Sequence, residues 1–512
     1  MRAEEKTAVK NSIGRMAFVL ISLMIQVGWL LFLVIRLNQY SAGISLFTTM
    51  FAMLVVLRIY GMHSNAAMKM PWIITILVLP VLGVCLYLLL GRPGLTKNMQ
   101  KRFERVDAEL LPELKNDTVV MQELETRDLG IANQFRYVER LGHYPVYHNS
   151  DIVFFKRAED GLAAQLEELK KAEKFIFMEY HAIEDDKAFD SLKQILAQKA
   201  ASGVEVRLFY DDVGSVGFID PDFIKRMEKV GVQCRVFNPL FPVLNMFMNN
   251  RDHRKITVID GKVGFTGGYN LANKYFNLTS PYGQWKDTGI KLTGEAVKSL
   301  TVMFLEMWNV MKKTDTDYSP YLSVPQYQAQ KPGFAAPYAD SPLDGETVGE
   351  NVYLNLIKNA KKYVWFTTPY LIISDEMSRE LTLAQKRGVD VRLITPGIPD
   401  KKTVFMLTRS YYGQLAKSGV RIFEYSPGFM HAKQCVSDGE IAVVGTINLD
   451  YRSLYLHFEN AVLFYDCDAV RDVEADFCET FPVCEEVTER YRDRKAPLRI
   501  WQCILRLFAP LM

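Results

Sequence analysis

The order of apolar and polar positions divides the chain into two unlike parts. Near the start lie runs that are apolar on every side. Residues 16–35 (MAFVLISLMIQVGWLLFLVI) and 71–90 (PWIITILVLPVLGVCLYLLL) are each twenty residues long and uncharged. A membrane-spanning helix needs about 20 apolar residues, so both are expected to span. Between them, 44–57 (ISLFTTMFAMLVVL) is shorter and carries Ser45, Thr48 and Thr49. It spans if it begins nearer Leu37, and otherwise lies in the interface or re-enters. Arg36 closes the first run and no small-residue cleavage site follows, which argues against a cleaved signal peptide. Pro80 and Gly83 suit a membrane helix whose neighbours re-satisfy the backbone.

From about residue 130 the pattern changes to β-rich runs alternating with amphipathic stretches. KFIFMEYHAI (174–183) reads as a strand, DSLKQILAQKAASG (190–203) as a helix closed by glycine, and VEVRLFYDD (204–212) as a second buried strand. KYVWFTTPYLI (362–372), a helix near 377–388 and VDVRLITPG (389–397) repeat that order, and GVEVRL and GVDVRL are nearly the same hexapeptide. The pattern predicts an α/β fold built from two tandem copies of one unit in a pseudo-twofold pair, each with a mostly parallel sheet covered by helices. The expected boundaries are an N-terminal membrane anchor at 1–92, a connector at 93–130, a first unit at 131–318, a linker at 319–346 rich in Pro, Ser, Tyr, Gln and Ala, a second unit at 347–495 and an amphipathic tail at 496–512.

The sharpest repeat carries the candidate chemistry. HRKITVIDGKVGFTGGYN (253–270) and HAKQCVSDGEIAVVGTIN (431–448) match His253 to His431, Lys255 to Lys433, Asp260 to Asp438 and Asn270 to Asn448 at one constant offset. Asp-Gly between apolar runs predicts a hairpin turn, which accounts for Asp260 and Asp438 as structural, charge-pairing residues. Residues i and i+2 of a strand share a face, so each His points the same way as its Lys. A pseudo-twofold axis then frames one pocket with two imidazoles, two ammonium groups and two amides. That inventory suits a phosphodiester: Lys and Asn hold the non-bridging oxygens, one His attacks phosphorus, and the other protonates the leaving oxygen and then deprotonates an incoming alcohol. The cationic side chains supply the positive charge, so neither a metal nor another cofactor is required. A nucleophilic imidazole needs its second nitrogen fixed, usually by a carboxylate. Asp287 and Glu459, each in a β-rich run expected beside its own motif, are the candidates. His181 and Glu179 lie on a buried strand within possible reach of the pocket, and His457 reads as structural.

Charge narrows the substrate. The net charge of +2 averages residues 1–105, with twelve Lys/Arg and three Glu (net +9), against a remainder with 49 basic and 56 acidic residues (net −7). An acidic body argues against nucleic acid as partner, and a basic, apolar head argues for membrane lipid. Basic residues flank both ends of the head, which suits two spans with a cytoplasmic body and not three. The chain has seven Cys without metal-type spacing, which fits a reducing compartment. The apolar stretch NPLFPVLNMFMNNR (238–251) reads equally as core or as a lip for acyl chains. In the tail, Leu498, Trp501, Ile504, Leu505 and Phe508 stand near helical spacing with Arg499 and Arg506 beside them. They suggest an interfacial helix, with a docking helix as the alternative.

The duplicated His-x-Lys-x4-Asp with its downstream Gly and Asn resembles the phospholipase D superfamily. With PVLGVCLYLLLGR, NNRDHRKITVIDG and GTINLDYRSL, the chain resembles the bacterial cardiolipin synthase family within it, from about residue 71 to the end. The resemblance implies two phospholipase D-like units and transfer of a phosphatidyl group from one phosphatidylglycerol to another, giving cardiolipin and glycerol. It also implies His253 as nucleophile and His431 as general acid/base, roles that the repeat itself leaves interchangeable. The alternatives are a membrane-bound hydrolase of the same superfamily or transfer to another alcohol. Oligomeric state is not legible.

Overall fold

The computed structural model describes residues 14–509 except 15, 23, 27, 30–31, 33–41, 63–64, 92–96, 241–248, 324–325 and 493–498. The first apolar run is helical wherever it is described, and most of the 238–251 stretch lies outside the described residues.

The first half contributes β1 (Ser150–Phe155), β2 (Phe175–Tyr180), β3 (Glu205–Asp211), β4 (Gln233–Phe237), β5 (Arg251–Asp252), β6 (Lys255–Ile259), β7 (Val263–Gly267), β8 (Gln284–Lys286) and β9 (Gly289–Gly294). The second contributes β10 (Phe334–Asp340), β11 (Tyr363–Thr367), β12 (Leu371–Ile372), β13 (Asp390–Pro396), β14 (Arg421–Tyr425), β15 (Gly428–Met430), β16 (Gln434–Ser437), β17 (Ile441–Gly445), β18 (Leu449–Asp450), β19 (His457–Tyr465) and β20 (Cys484–Glu486). They form two sheets of matching order, β1-β9-β7-β6-β2-β3-β4 and β10-β19-β17-β16-β11-β13-β14-β20.

The sheets are mixed, and this corrects the expectation of mostly parallel ones. Along these two orders, the strands β2-β3-β4 and β11-β13-β14 run parallel, joined through helices such as Lys187–Ala201 and Asp375–Lys386, and the other neighbours run antiparallel. The Asp-Gly turns reverse the chain, so β6-β7 and β16-β17 are hairpins, and β9 and β19 return antiparallel beside them. A second correction concerns the expected linker. Its Phe334–Asp340 stretch is fully buried and pairs antiparallel with β19 as an edge strand.

The halves share one core. The helix Val297–Met311 is apolar on nearly all sides and buried along almost its whole length, as such a sequence requires. It touches β2, β6, β7 and β9 of its own half and β10 of the other. Its counterpart Asp468–Thr480 touches β16 and β17 of its own half and β1 of the first. Each half therefore lends a helix to the other's edge strand.

Among the described residues no helix is long and apolar enough to cross a membrane. The run 71–90, expected as one span, is divided into Ala66–Val78, Pro80–Leu86 and a π-turn at Tyr87–Gly91. Leu79 leaves helical geometry (φ −131°, ψ 75°) just before Pro80, in keeping with the restriction proline places on its predecessor. A Cβ on Gly83 would lie 2.6 Å from Ile76 Cα, so glycine permits the chain to fold back there. The run 44–57 lies inside the helix Ala42–Tyr60, which exposes Leu46, Phe47, Met50, Phe51, Leu54 and Leu57. The C-terminal residues Arg499–Phe508 form a helix docked on Lys402–Lys417 and on Ala66–Val78, the arrangement expected of a docking helix, the alternative to an interfacial one.

Candidate active site

The two motifs fold alike. Asp260 and Gly261 take φ +54° and +65°, and Asp438 and Gly439 take +55° and +69°, the paired left-handed values of a tight hairpin turn. Asp260 accepts hydrogen bonds from the backbone N–H of Glu173, Lys174 and Phe175 at 2.8, 2.7 and 2.9 Å. Asp438 repeats this with Lys361, Lys362 and Tyr363 at 2.8, 2.7 and 2.9 Å. Both carboxylates cap the entry of a neighbouring strand, at the end of the hairpin away from the histidines. Their expected charge pairing is replaced by backbone capping, and they take no place in the pocket. Asp260→Ala is expected to lower unfolding stability by about 3 kcal/mol, because buried N–H donors lose their acceptor. The more exposed Asp438 should cost less, with kcat of the folded protein little changed in both. Loss of kcat at unchanged stability would assign Asp260 to the chemistry instead.

The carboxylates that orient the histidines come from the opposite halves, which corrects the expectation that each serves its own motif. The reason is two short parallel bridges between the halves. β5 pairs with the start of β19, Arg251 opposite His457 and Asp252 opposite Phe458. The next residues, His253 and Glu459, then face each other. β8 pairs with β15, Lys286 opposite Met430, and the next residues are Asp287 and His431. Backbone bonds extend each bridge, His253 N–H to Phe458 O at 2.9 Å and His431 N–H to Lys286 O at 2.8 Å. His253 Nδ1 lies 2.9 and 2.8 Å from the two oxygens of Glu459, and His431 Nδ1 lies 2.6 Å from Asp287 Oδ2. An Nδ1–H donated to a carboxylate leaves the Nε2 lone pair for chemistry.

Both imidazoles line a cavity of about 350 Å³ together with Asn270 and Asn448. Lys255 and Lys433 lie beneath them, buried, and each donates its ammonium to the carbonyl of the histidine two residues earlier. Lys433 Nζ also stands 3.1 Å from His431 Nε2. Burial, then the neighbouring ammonium groups, holds both histidines well below their usual pKa. Burial lowers Lys255 to about 7 and Lys433 to about 8, and raises Asp287 to about 6. Burial in the pocket thus favours the neutral form of both imidazoles and weakens the hold of both lysines on their protons. An arriving phosphate would restore protons to these groups, since an adjacent opposite charge favours the charged form.

The two asparagines differ. Asn270 is engaged by the protein, accepting from Ala182 N–H and donating to the Tyr275 hydroxyl at 3.0 Å. The Oδ1 of Asn448 is buried with no hydrogen-bond partner among the described residues.

Several pocket residues escaped the motif reading. His181 lines the pocket, with Nδ1 2.7 Å from Asp252 O and its ring centroid 5.0 Å from that of His253. Glu179 is wholly buried and does not line it. His457, expected to be structural, also lines the pocket, its centroid 5.7 Å from that of His253. Strand alternation carries the signal, because His457 precedes Glu459 by two. Its repeat counterpart, two before Asp287, is Trp285, which stacks near His431 at 5.0 Å with Tyr275 at 5.2 Å. One histidine thus sits among imidazoles and the other among aromatic rings. His253, His457 and Glu459 place one ligand atom each within 4.8 Å of one another, close enough to share a metal ion.

Comparisons with known proteins show the family. A family model described as cardiolipin synthase, PLD-like domain, matches residues 166–308 and 353–480, and one described as phospholipase D-nuclease N-terminal matches 49–92. A Streptococcus mutans protein is 40% identical over 89% of this chain and 99% of its own length. Cardiolipin synthase 2 of Bacillus anthracis is 33% identical over 91% of this chain and 90% of its own. Among solved structures, phosphatidylserine synthase of Haemophilus influenzae superposes with a TM-score of 0.56 at 15% identity, covering 74% of this chain and 98% of its own, a likeness of fold. The family model over both halves and matched sequence over most of the chain place the protein in the cardiolipin synthase family of phospholipase D-like proteins.

Proposed function

We propose that the protein is a membrane-bound phosphatidyltransferase that makes cardiolipin from two molecules of phosphatidylglycerol. In the first step His253 Nε2 attacks the donor phosphorus. A P–N bond forms, the P–O bond to glycerol breaks, and His431 gives its proton to the departing glycerol oxygen. In the second step the free hydroxyl of another phosphatidylglycerol returns a proton to His431. Its oxygen attacks phosphorus, the P–N bond breaks, and cardiolipin leaves. Lys255, Lys433 and Asn448 neutralise and hold the non-bridging oxygens. Glu459 and Asp287 fix the imidazoles, and Asn270 positions the wall through Tyr275. The assignment of attack to His253 rests on the family resemblance.

The observation that carries the lipid reading is what one wall of the pocket is built from. Tyr370, Ile372, Val404, Tyr451 and Ala509 line the cavity and also belong to an apolar cluster with Ala67 and Met68 of the helix 66–78 and Leu505 of the C-terminal helix. The chemical groups therefore stand next to the segment whose neighbouring helix, 42–60, exposes its apolar side chains. An exposed apolar surface of this kind calls for a lipid environment. A headgroup can enter at the bilayer surface while its acyl chains stay in the membrane. Purified protein in micelles of phosphatidylglycerol is expected to release cardiolipin and glycerol in equal amounts, undiminished by EDTA. Phosphatidic acid as the sole lipid product would establish a hydrolase, and loss of turnover with EDTA would overturn metal-free transfer.

A further inference from the structure

The repeat continues past its asparagines. Four residues after Asn270 stands Lys274, and four after Asn448 stands Arg452, and both line the cavity. Their surroundings differ. Arg452 adjoins the buried Asp450, whose charge acts on it directly. Lys274 feels the charges of Asp400 and Glu184, but among the described residues no carboxylate stands within ion-pair distance of it and it has no hydrogen-bond acceptor. Its ammonium is instead held over rings, 5.1 Å from the Trp285 centroid, 5.3 Å from Tyr275 and 5.8 Å from Phe218. Trp285 and Tyr275 are the same rings that flank His431. Asp400 and Lys401 complete this wall, and Asp400 accepts the Tyr370 hydroxyl at 2.7 Å. Two cations, Lys274 and Lys401, thus stand there against Asp400 and the more distant charge of Glu184.

The reacting phosphate is already provided for by Lys255, Lys433 and the two imidazoles. Cardiolipin formation, the reading on which this inference rests, brings a second phosphate into the pocket, that of the acceptor lipid, one glycerol bridge from the attacking oxygen. That phosphate stays charged and unreacted, and apolar walls would reject it unless a cation met it. We propose that Lys274 holds the phosphate of the acceptor phosphatidylglycerol beside His431, which makes the pocket a two-phosphate site. The aromatic support holds the ammonium at the cavity wall with no carboxylate in direct contact. It also places the acceptor's hydroxyl on the side of the histidine that deprotonates it.

The test compares two reactions of the full-length protein in detergent. Exchange of radiolabelled glycerol into phosphatidylglycerol uses the same donor and the same histidines, but its acceptor carries no phosphate. Cardiolipin formation uses the phosphorylated acceptor. Lys274→Gln is expected to lower the ratio of cardiolipin formation to glycerol exchange roughly tenfold, as for loss of one charge-assisted contact, and to raise KM for the acceptor. Lys274→Arg should restore most of that ratio. Equal loss of both reactions in Lys274→Gln, or an unchanged ratio, overturns the subsite. Wild-type protein that exchanges glycerol but forms no cardiolipin overturns the parent reading, and this one with it. A defect confined to the Lys274 ratio speaks to the subsite alone.

Discussion

His253→Ala and His431→Ala are each expected to slow cardiolipin formation by about 10⁴-fold or more, and the double variant to be little worse than either single one, as for groups acting as a unit. Both follow from the two-step scheme. Without the nucleophile no phosphatidyl-enzyme forms. Without the proton carrier glycerol leaves as an alkoxide, and the second lipid attacks undeprotonated. The variants separate when the leaving group needs no proton. With a p-nitrophenyl phosphatidyl ester, His431→Ala should still acquire a phosphatidyl adduct, on His253, and then stall. His253→Ala should acquire none. An adduct on His431 in the His253→Ala protein would reverse the roles. Retention of more than about a tenth of wild-type turnover in either variant would remove that histidine from the chemistry.

The motif residues were legible in the sequence because duplication made them so. One His-x-Lys-x4-Asp is weak, but two in register, each with an Asp-Gly turn, define a hairpin and put His and Lys on one face. Local chemistry explains why Asp260 and Asp438 recur: a left-handed turn residue that also captures three backbone donors leaves little freedom for substitution. What could not be read is whatever depends on which strand of one half meets which strand of the other. The pairing of Arg251 with His457, and of Lys286 with Met430, joins residues more than a hundred positions apart through bridges of two or three residues. Bridges that short leave no periodic signal. The mixed sheets were missed for a related reason. Helix-linked strands declare their parallel order, while return strands such as β9 and β19 show only apolar residues. Phe334–Asp340 was hidden by its composition: Pro337 and small residues suggest a linker, but an edge strand tolerates proline. At the N-terminus, apolar length alone predicted a span through 71–90, and the break at Leu79–Pro80 depends on how Gly83 meets Ile76.

The crossed carboxylates lead to the second large effect. Glu459→Gln and Asp287→Asn are each expected to lower kcat about 10⁴-fold, since an amide keeps the shape but no longer selects the tautomer that presents Nε2, a loss comparable with that in serine protease triads. Their signatures should differ according to the geometry and not the sequence order. Glu459 holds His253, at 2.8 Å across the interface between the halves. Glu459→Gln should therefore impair attack itself, and a p-nitrophenyl donor should form adduct as slowly as a natural one. Asp287 holds His431, at 2.6 Å. Asp287→Asn should impair proton transfer, so its defect should largely vanish in the adduct-forming step with p-nitrophenyl as leaving group and persist in the transfer to lipid. If each carboxylate served the motif of its own half, the two signatures would be exchanged. The arrangement also bears on why the unit is duplicated within one core. Neither half contains both a motif histidine and the carboxylate that orients it, and each supplies the edge of the other's sheet with a helix. Either half alone would hold an imidazole of undefined tautomer in a pocket missing one wall, so the catalytic unit is the pair.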